Sequence, residues 1–423
     1  MPKKRSPGDG GLWFNESKGL WVAAVDDGFH PDGRRRQKYV SSKSQAKARA
    51  KLKEVKAQIA KYGTTLTTDQ TRTTVRDWSE EWLKDQETRL APDSFSTTRA
   101  TVRKWVQPTI GHVRIHLLRP PHIKQVYTAM EDAGRTVGTI NRARAVMSSM
   151  FKAAITDGGH EISENVFRVT PPAGKKNTLQ RDAIGVEDAL KILNTALNPP
   201  ALIAPGKEGH DAELEAAKAK ARSIDSSRFV AAILQGARPA EARAYTWELI
   251  DFENSTIDIS WQLKPLPYKT PYDRTSGFRV PRGFESVHLV DAYHLVRPKT
   301  ESGERYIPMV PWLHASLLDL KERQGASPHG LVWARQNGRP LSDKEDRAAW
   351  KALCLVAGVP DVDLYNARHT TATLLRMAGV DDETIIAIMG HSTILSTKAY
   401  IHTDIERARE ALMKVAKTLE LEP

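Results

Sequence analysis

The sequence predicts a multidomain protein: a small α+β N-terminal sheet-plus-helix domain, an all-α domain, and a mainly α domain with a small antiparallel sheet. The length of 423 residues exceeds the roughly 100–200 residues of one typical domain. Near residue 42 the apolar pattern changes from short strand-like segments to helical spacing. A Pro/Gly/Lys-rich segment at 170–178 then separates two further regions. We therefore expect domains at 1–63, 64–169 and 179–423, joined by a linker at 170–178.

The N-terminal region combines strand signals with a strong positive charge. Short apolar segments around residues 12–14, 21–25 and 39–40 predict three strands, with a basic turn at 33–36. Apolar residues at three- and four-residue steps from 42 to 61 predict a helix behind the sheet. Residues 1–62 hold fifteen lysines and arginines but six acidic residues. The basic surface of this N-terminal region either binds a polyanion or is simply solvated.

Composition narrows the class of protein. The net charge of +12 and the pI of about 9.5 favour binding to a polyanion such as nucleic acid. Cys354 is the only cysteine, which excludes an intrachain disulfide and argues against a cysteine-built metal site. The mean hydropathy is −0.48, and no apolar run approaches the roughly 20 residues of a membrane span. The basic N-terminus is followed by no apolar stretch, so we expect no signal peptide, no membrane association and a reducing compartment.

The second region, 64–169, has only helical signals. Trp78 and Trp82 lie four residues apart, on one helix face. Similar apolar stripes recur around residues 123–130 and 140–150, and they are far more typical of a core than of a cofactor site. The Ser/Thr cluster at 94–98 is expected to cap the start of one helix.

The third region has two strand-like segments, at 256–260 and 304–308, within an otherwise helical pattern. The charged, Ala-rich stretch 205–224 is expected to be an exposed helix or a mobile insertion. Residues 404–420 form an amphipathic tail helix. Its apolar face either packs on its own domain or docks onto a neighbouring subunit.

Two arginines in this region follow helix-start signals. In Gln235-Gly236-Ala237-Arg238-Pro239-Ala240-Glu241, the proline favours the first helical turn, with Glu241 inside that turn and Arg238 just before it. Arg368 and His369 lie in the first part of the helix predicted at 364–375. An arginine at such a position can fork onto a phosphate, although arginines beside helices are common on protein surfaces.

Further polar residues occur in a fixed order around these arginines. Lys299 precedes the second strand-like segment. An acid-capped helix at 381–389 ends at Gly390-His391. Tyr400 follows His391 by nine residues.

This ordered set resembles the tyrosine recombinase family, and phage-type integrases in particular. It comprises Gly-x-Arg-x-x-Glu, a lysine between strands, Arg-His at a helix start, Gly-His, and tyrosine nine residues later. The resemblance extends over the chain: residues 1–63 resemble an arm-type DNA-binding domain, 64–169 a core-binding domain, and 179–423 a catalytic domain with a tail helix. It implies the tyrosine recombinase fold.

The resemblance also implies a role for each residue. Arg238 and Arg368 would clamp the scissile phosphate, with Glu241 as a supporting acid. Lys299 would protonate the leaving 5′ oxygen. His391 would donate a hydrogen bond to a nonbridging oxygen of the phosphate. Tyr400 would be the nucleophile and would form a 3′-phosphotyrosine.

One position departs from the family pattern. The family often has histidine three residues before the second arginine, where this chain has Tyr365. A phenol is a poor base at neutral pH but can donate a hydrogen bond. Which group takes the proton from Tyr400 therefore stays open.

No cofactor and no metal are expected, because covalent attachment conserves the energy of the broken bond. The resemblance implies double-stranded DNA with core and arm attachment sites, a homo-tetramer on that DNA, an excisionase and a host DNA-bending protein. It also implies the cytoplasm of a bacterial host, on the chromosome. The residues expected to contact DNA outside the reaction centre are Arg34, Arg35, Arg36, Lys38, Lys175 and Lys176.

Several functions compete. The first is an integrase that joins and excises phage or mobile-element DNA. A resolving or transposon recombinase of the same chemistry is a close rival, although such simple resolving enzymes usually lack a basic N-terminal module. A DNA-binding architectural or regulatory protein that does not cut is the alternative from another class, and a metal-dependent nuclease is a further one.

Overall fold

The computed structural model describes residues 11–29, 35–62, 72–156, 166, 174, 183–298, 303–325, 327–390 and 401–418. The chain divides into two compact units. One comprises residues 1–178 with 280–282, and the other comprises 179–279 with 283–423. The predicted domain boundaries at 63/64 and at the linker stay predictions.

The first unit begins with a three-stranded antiparallel sheet in the order β1-β2-β3. Its elements are β1 (Gly11–Asn15), β2 (Leu20–Phe29), β3 (Arg35–Ser42) and the helix α1 (Gln45–Tyr62). Ala23 and Val25 of β2 are buried, as are Ala48 and Val55 of α1. Because side chains alternate along a strand, this helix covers one face of the sheet. The predicted sheet backed by a helix is therefore present.

The basic turn predicted at 33–36 is wrong for its second half. Arg35 and Arg36 lie in β3, because β2 continues to Phe29 and pairs with Arg35. The guanidinium of Arg35 donates to Asp26 at 2.5 Å, and Arg36 Nε lies 3.2 Å from an Asp27 carboxylate oxygen. Cross-strand ion pairs thus extend the ladder where the sequence suggested a loop.

Helices make up the rest of the described part of the first unit. They are α2 (Val75–Arg89), α3 (Pro92–Thr101), a π-helical turn (Val102–Val106), α4 (Gln107–Ile110), a 3-10 turn (Ile115–Leu117), α5 (Pro120–Asp132) and α6 (Val137–Thr156). Their apolar stripes, including Trp78 and Trp82, form one buried core. Thr74 and Asp77 cap α2 reciprocally, which satisfies backbone N–H groups at its start. The predicted cap at 94–98 is wrong, because Pro92 already opens α3.

The second unit contains nine α-helices in its described ranges, besides a 3-10 turn (Trp247–Leu249). They are α7 (Val186–Leu197), α8 (Ala212–Ala221), α9 (Ser227–Leu234), α10 (Pro239–Ala242), α11 (Pro311–Gln324), α12 (Asp343–Val356), α13 (Leu364–Met377), α14 (Asp382–Met389) and α15 (Ile401–Thr418). Every residue of α9 is buried, which places this helix at the centre of the unit. None of the helices in the described ranges is both long enough and apolar enough to cross a membrane.

Two small antiparallel sheets complete the second unit. Their strands are β4 (Ile250–Asp251), β5 (Thr256–Ile259), β6 (Gln262–Pro265), β7 (Ser286–Val290), β8 (Tyr293–Val296) and β9 (Arg305–Pro308). The first sheet has the order β4-β5-β9, and the second has the order β6-β8-β7. Strands β5 and β9 are the two predicted from the sequence. The second sheet gives a structure to the stretch 262–295, which sequence patterns left unexplained.

The charged stretch 205–224 differs from its prediction on one face. Helix α8 packs against α12, and Glu215 and Lys218 on that side are buried. Their oppositely charged ends lie 2.6 Å apart. A paired charge can be buried where an isolated one cannot. This helix is therefore packed on one side and exposed on the other, as at Glu213 and Lys220.

In this structure the tail helix α15 packs on its own unit, which is the first of the two alternatives given above. Ala408, Ala411, Leu412 and Val415 are buried in the core of the same unit. The helix packs against β9, α13 and α14. Its apolar face is therefore covered by its own domain.

Arginines and carboxylates form a cluster between α9 and α12 that is buried except at Asp343. Arg228 donates to Asp346 at 2.7 Å, and Arg243 Nε lies 3.6 Å from the same carboxylate oxygen. Arg243 also donates to the carboxylate of Asp343 and to the carbonyl of Leu341, both at 3.3 Å. We call Arg228, Asp346, Arg243 and Asp343 the core ion cluster.

Candidate active site

The position of Arg238 follows from a tight turn and a proline. Helix α9 ends at Leu234, and Gly236 then takes a φ of +63°. A Cβ at Gly236 would lie 2.8 Å from Sδ of Met389, so this position needs glycine for both conformation and space. Arg238 is the residue that caps α10, with Pro239 in the first turn. As predicted, the arginine stands just before the helix start.

Glu241 is the buried carboxylate that holds Arg238. It accepts hydrogen bonds from the Arg238 backbone N–H at 2.9 Å and from Arg238 Nη1 at 2.6 Å. A third bond comes from Nη2 of Arg305, at 3.0 Å. Burial alone would raise the pKa of Glu241, but Arg305 and Arg238 together hold it below its ordinary value. The carboxylate is therefore ionised at neutral pH although its side chain is 0% exposed.

Arg368 enters the same cluster from helix α13. Its residue is 2% exposed, and its guanidinium donates to the carbonyl oxygens of Gly236 and Met389. Burial, followed by the positive charges of Arg238 and Arg305, lowers the pKa of Arg368 to about 10. It therefore carries its charge at neutral pH without a carboxylate hydrogen-bonded to it in the described structure.

Three arginines converge on the C-terminal end of α14. The carbonyl of Ile388 accepts from Arg305 Nε at 2.8 Å, that of Met389 from Arg368, and that of Gly390 from Arg238 Nη2 at 2.9 Å. The last carbonyls of a helix have no partner within it and carry the negative end of its dipole. The helix end thus holds the guanidiniums by partial charges. A phosphate, with a full charge, would compete well for them.

Tyr365 lies one helical turn before Arg368. Asp363 caps α13 by accepting from the Tyr365 backbone N–H at 2.8 Å. The Tyr365 ring is half-buried and meets the His369 ring edge-on, with centroids 5.2 Å apart. The structure therefore brings Tyr365, Arg368, Arg238 and Glu241 into one region.

The other predicted site residues lie outside the described residues: Lys299, His391, Tyr400, Arg34, Lys175 and Lys176. In the chain, His391 directly follows Gly390, and Tyr400 directly precedes the first residue of α15. The elements next to them, α14 and α15, pack on each other and on β9. Their assigned roles stay predictions.

Sequence patterns missed Arg305. It is the first residue of β9, and a strand residue gives no local sign of a site. Its side chain reaches both Glu241 and the end of α14. The only local signal was an arginine on an inward strand position, two residues before the buried Ile307.

The predicted DNA-contacting residues of the N-terminal sheet are partly engaged within the protein. Arg35 and Arg36 pair with Asp26 and Asp27, while Lys38 is exposed. Among the residues that the structure describes, no three His, Cys, Asp or Glu side chains come together as a metal site.

Two family models match this chain. The model of the phage integrase family matches residues 283–407, and that of the phage integrase central domain matches 75–166. An integrase of Saccharopolyspora erythraea is 21% identical over 95% of this chain and 94% of its own length. A XerC-like tyrosine recombinase of Caldanaerobacter subterraneus is 21% identical over 93% of this chain and 94% of its own length.

Solved structures share the fold. The Tn1549 transposon integrase, in complex with a circular intermediate DNA, matches with a TM-score of 0.58 and 20% identity, covering 79% of this chain and 99% of that one. A lambda integrase tetramer bound to a Holliday junction matches with a TM-score of 0.50 and 14% identity, covering 97% of each chain. The predicted fold class is confirmed.

These matches, together with the fold, define a site-specific DNA recombinase of the tyrosine class. Within that class, the chain belongs to the phage integrase family.

Proposed function

We propose that this integrase cuts and rejoins DNA through Tyr400, and that it integrates and excises phage or other mobile-element DNA. One observation carries the proposal: three guanidiniums surround one carboxylate in the described part of the site. Two positive charges are therefore left over. A phosphodiester carries one negative charge and gains more in its five-coordinate transition state, so this surplus suits it.

Arg238 and Arg368 would bind the scissile phosphate. Arg238 is 29% exposed, and its Nη2 contacts only a neutral carbonyl in the described structure. A nonbridging oxygen placed beside the two guanidiniums would receive charge-assisted hydrogen bonds from both arginines. Glu241 holds Arg238 in the orientation that this requires.

The covalent step follows from the predicted roles. The Tyr400 phenol oxygen bonds to phosphorus and releases its proton to water, while the bond from phosphorus to the 5′ oxygen breaks. Lys299 gives that oxygen a proton, and His391 donates a hydrogen bond to a nonbridging oxygen. In the return step, a 5′-hydroxyl attacks the 3′-phosphotyrosine and releases Tyr400, so no ATP is consumed. Tyr365 would donate a hydrogen bond to the phosphate.

A suicide substrate tests the nucleophile. Tyr400→Phe should abolish covalent protein–DNA adducts on a nicked core-site duplex while binding stays intact. Tyr306→Phe, on the exposed side of β9, is the matched control and should form adducts normally. Adducts formed by the Tyr400→Phe variant would exclude Tyr400 as the nucleophile. A wild-type chain that bound DNA but formed no adducts would be the non-cutting architectural protein.

The N-terminal sheet domain would bind arm sites. Arg34, Arg35, Arg36 and Lys38 would contact DNA there, and linker residues Lys175 and Lys176 would pass near backbone phosphates. Deleting residues 1–62 should remove binding to distal sites and spare core-site cleavage. In full-length protein the logarithm of affinity should fall with log salt by about 0.9 per phosphate contacted. A folded deletion variant that no longer cleaved core sites would contradict this division of labour.

The assembly would be a homo-tetramer on two core-site duplexes in the bacterial cytoplasm, with an excisionase and a host DNA-bending protein setting direction. The Tyr400→Phe variant mixed with core-site duplex should give a particle of four protomers and two duplexes by mass photometry. Purified chain that recombined both pairs of attachment sites at equal rates would remove the need for direction-setting partners.

A further inference from the structure

Arg305 lies where three parts of the second unit meet. Its strand β9 pairs with β5, with Arg305 opposite Ile259. The side chain is 8% exposed and turns inward, towards α10 and α14. The proposed function counts the charge of Arg305 but gives this residue no role of its own.

Three nitrogens of Arg305 each have a separate partner. Nη2 donates to Glu241 at 3.0 Å, Nε to the Ile388 carbonyl at 2.8 Å, and Nη1 to the Gly303 carbonyl at 3.0 Å. With its guanidinium committed in this way, Arg305 is placed to hold other groups and not to receive a substrate.

These bonds close a ring through the site. Glu241 joins Arg305 to Arg238, and both arginines return to the end of α14, at Ile388 and Gly390. The ring therefore fixes the orientation of Arg238 relative to the residue that precedes His391. A planar fork with several donors can do this, whereas the single ammonium of lysine cannot serve all three partners.

We infer that Arg305 is a positioning residue for strand cleavage, which sets Arg238 and the C-terminal end of α14 in register through Glu241. The inference rests on the proposed function. Misplacement of a reacting group by about 1 Å can cost about 10²-fold in rate. Losing Arg305 should therefore reduce the rate of cleavage and leave DNA affinity nearly unchanged.

The charges that face Glu241 should make the cleavage rate of an Arg305 variant depend on pH. They are Arg238 from α10, Arg305 from β9 and Arg368 from α13, with the buried Tyr245 hydroxyl nearby. Burial raises the pKa of Glu241, and Arg305 is the strongest influence that lowers it. Without Arg305 this pKa rises. Cleavage by the variant should then weaken as pH falls and Glu241 loses its charge.

The experiment is single-turnover cleavage of a nicked core-site duplex by the full chain, from pH 5.5 to 8.5. Arg305→Met should be about 10- to 100-fold slower at pH 7.5, with affinity for the duplex within about threefold of wild type. It should show a further loss on the acid side that wild type lacks. Arg305→Lys should recover part of the rate, because it keeps a cation beside Glu241.

Two further variants separate positioning from folding. Arg228→Met removes another buried arginine, from the core ion cluster. This variant should cleave at the wild-type rate at temperatures where it is folded. Arg305→Met combined with Glu241→Gln should lose the acid-side effect and be no slower than Arg305→Met alone, since both act through one ring. If Arg305→Met is too unstable to assay, the comparison of Arg305→Lys with Glu241→Gln, singly and together, serves the same purpose.

Wild-type rates and a wild-type pH profile in Arg305→Met would overturn the inference. So would rate losses that multiply in the Arg305 and Glu241 double variant. Both outcomes are read from adducts that require Tyr400. Adducts that persist in Tyr400→Phe would instead reject the proposed function, and the two failures are thereby distinguishable.

Discussion

The active-site cluster and the core ion cluster are both built from arginines and buried carboxylates, but their charges balance differently. In the core ion cluster, Arg228 and Arg243 face Asp346 and Asp343. Asp343 also pairs with Arg347, which pairs in turn with Asp363, so three cations meet three anions. In the active site, Arg238 and Arg305 pair with Glu241, and Arg368 lies beside them with no carboxylate bonded to it in the described ranges.

The two clusters differ in the acceptors of those arginine N–H groups that do not bond to a carboxylate. Arg368 and Arg238 donate to backbone carbonyls, which carry only partial charge. Such bonds satisfy hydrogen bonding and leave the net positive charge in place. A balanced cluster stabilises the fold, whereas an unbalanced one is prepared for an anion from outside.

Breaking the balanced cluster should give the largest effect, and it should be on stability. Asp346→Ala leaves two buried arginines short of an anion, and this should lower the free energy of unfolding by about 3–5 kcal/mol. Urea unfolding followed by tryptophan fluorescence measures it. Asp343→Ala, at the half-exposed end of the same cluster, is the control and should cost less than about 1 kcal/mol. Equal losses in both variants would contradict the picture of a closed, buried cluster.

Removing one of the surplus positive charges of the active site should lower the rate of DNA cleavage. Arg368→Gln should slow single-turnover cleavage by about 10²–10³-fold, because a preorganised donor to the transition state is lost. Its urea midpoint should move less than that of Asp346→Ala, since the charge removed stands beside two like charges. A variant that cleaved normally would show that Arg368 does not bind the phosphate.

Neutralising Glu241 should give an intermediate effect that depends on pH. Its pKa is lowered on folding, so its ionised form stabilises the fold above the unfolded value of about 4.5. That contribution is lost as pH falls through the lower, folded pKa. Glu241→Gln should therefore be less stable than wild type at pH 7, by about 1.5–3 kcal/mol. Urea midpoints at pH 7, 5 and 3.5 should converge on acidification; a constant gap would argue against an ionised Glu241.

Anion binding should give the smallest effect and the sharpest contrast. Sulfate at ten times its dissociation constant should stabilise wild type by about 1.4 kcal/mol. The gain should vanish in Arg238→Ala with Arg368→Gln and persist in Asp343→Ala. A thermal shift series at constant ionic strength measures it. Equal gains in all three proteins would place the sulfate elsewhere.

Local signals made part of this site predictable. Pro239 and Glu241 define a helix start within one turn, and Arg368 lies on a helix with regular apolar spacing. Arg305 could not be found in this way, because its meaning depends on strand pairing with Ile259 and on the end of a helix far along the chain. The carbonyl acceptors at 388–390 belong to the backbone and leave no trace in residue types.

The fold shows the same division. Long amphipathic stretches such as α2, α5 and α6 were predictable from spacing. The sheet of β6, β8 and β7 was not, because its strands are short, one contains Pro265, and a long loop separates the first from its partner. Lys299, His391 and Tyr400 remain predictions of sequence order.

The placement of α15 has a mechanical consequence. Its first residue, Ile401, is bonded directly to Tyr400, and four apolar side chains between Ala408 and Val415 seat the helix in the core. A DNA strand attached covalently to that tyrosine would be anchored through α15, whose apolar side chains are buried in the core. Tension from coiled or stretched DNA would then pass along the helix axis into the body of the protein. Displacing the helix by force would expose those side chains to water. The covalent complex would therefore resist tension on the DNA.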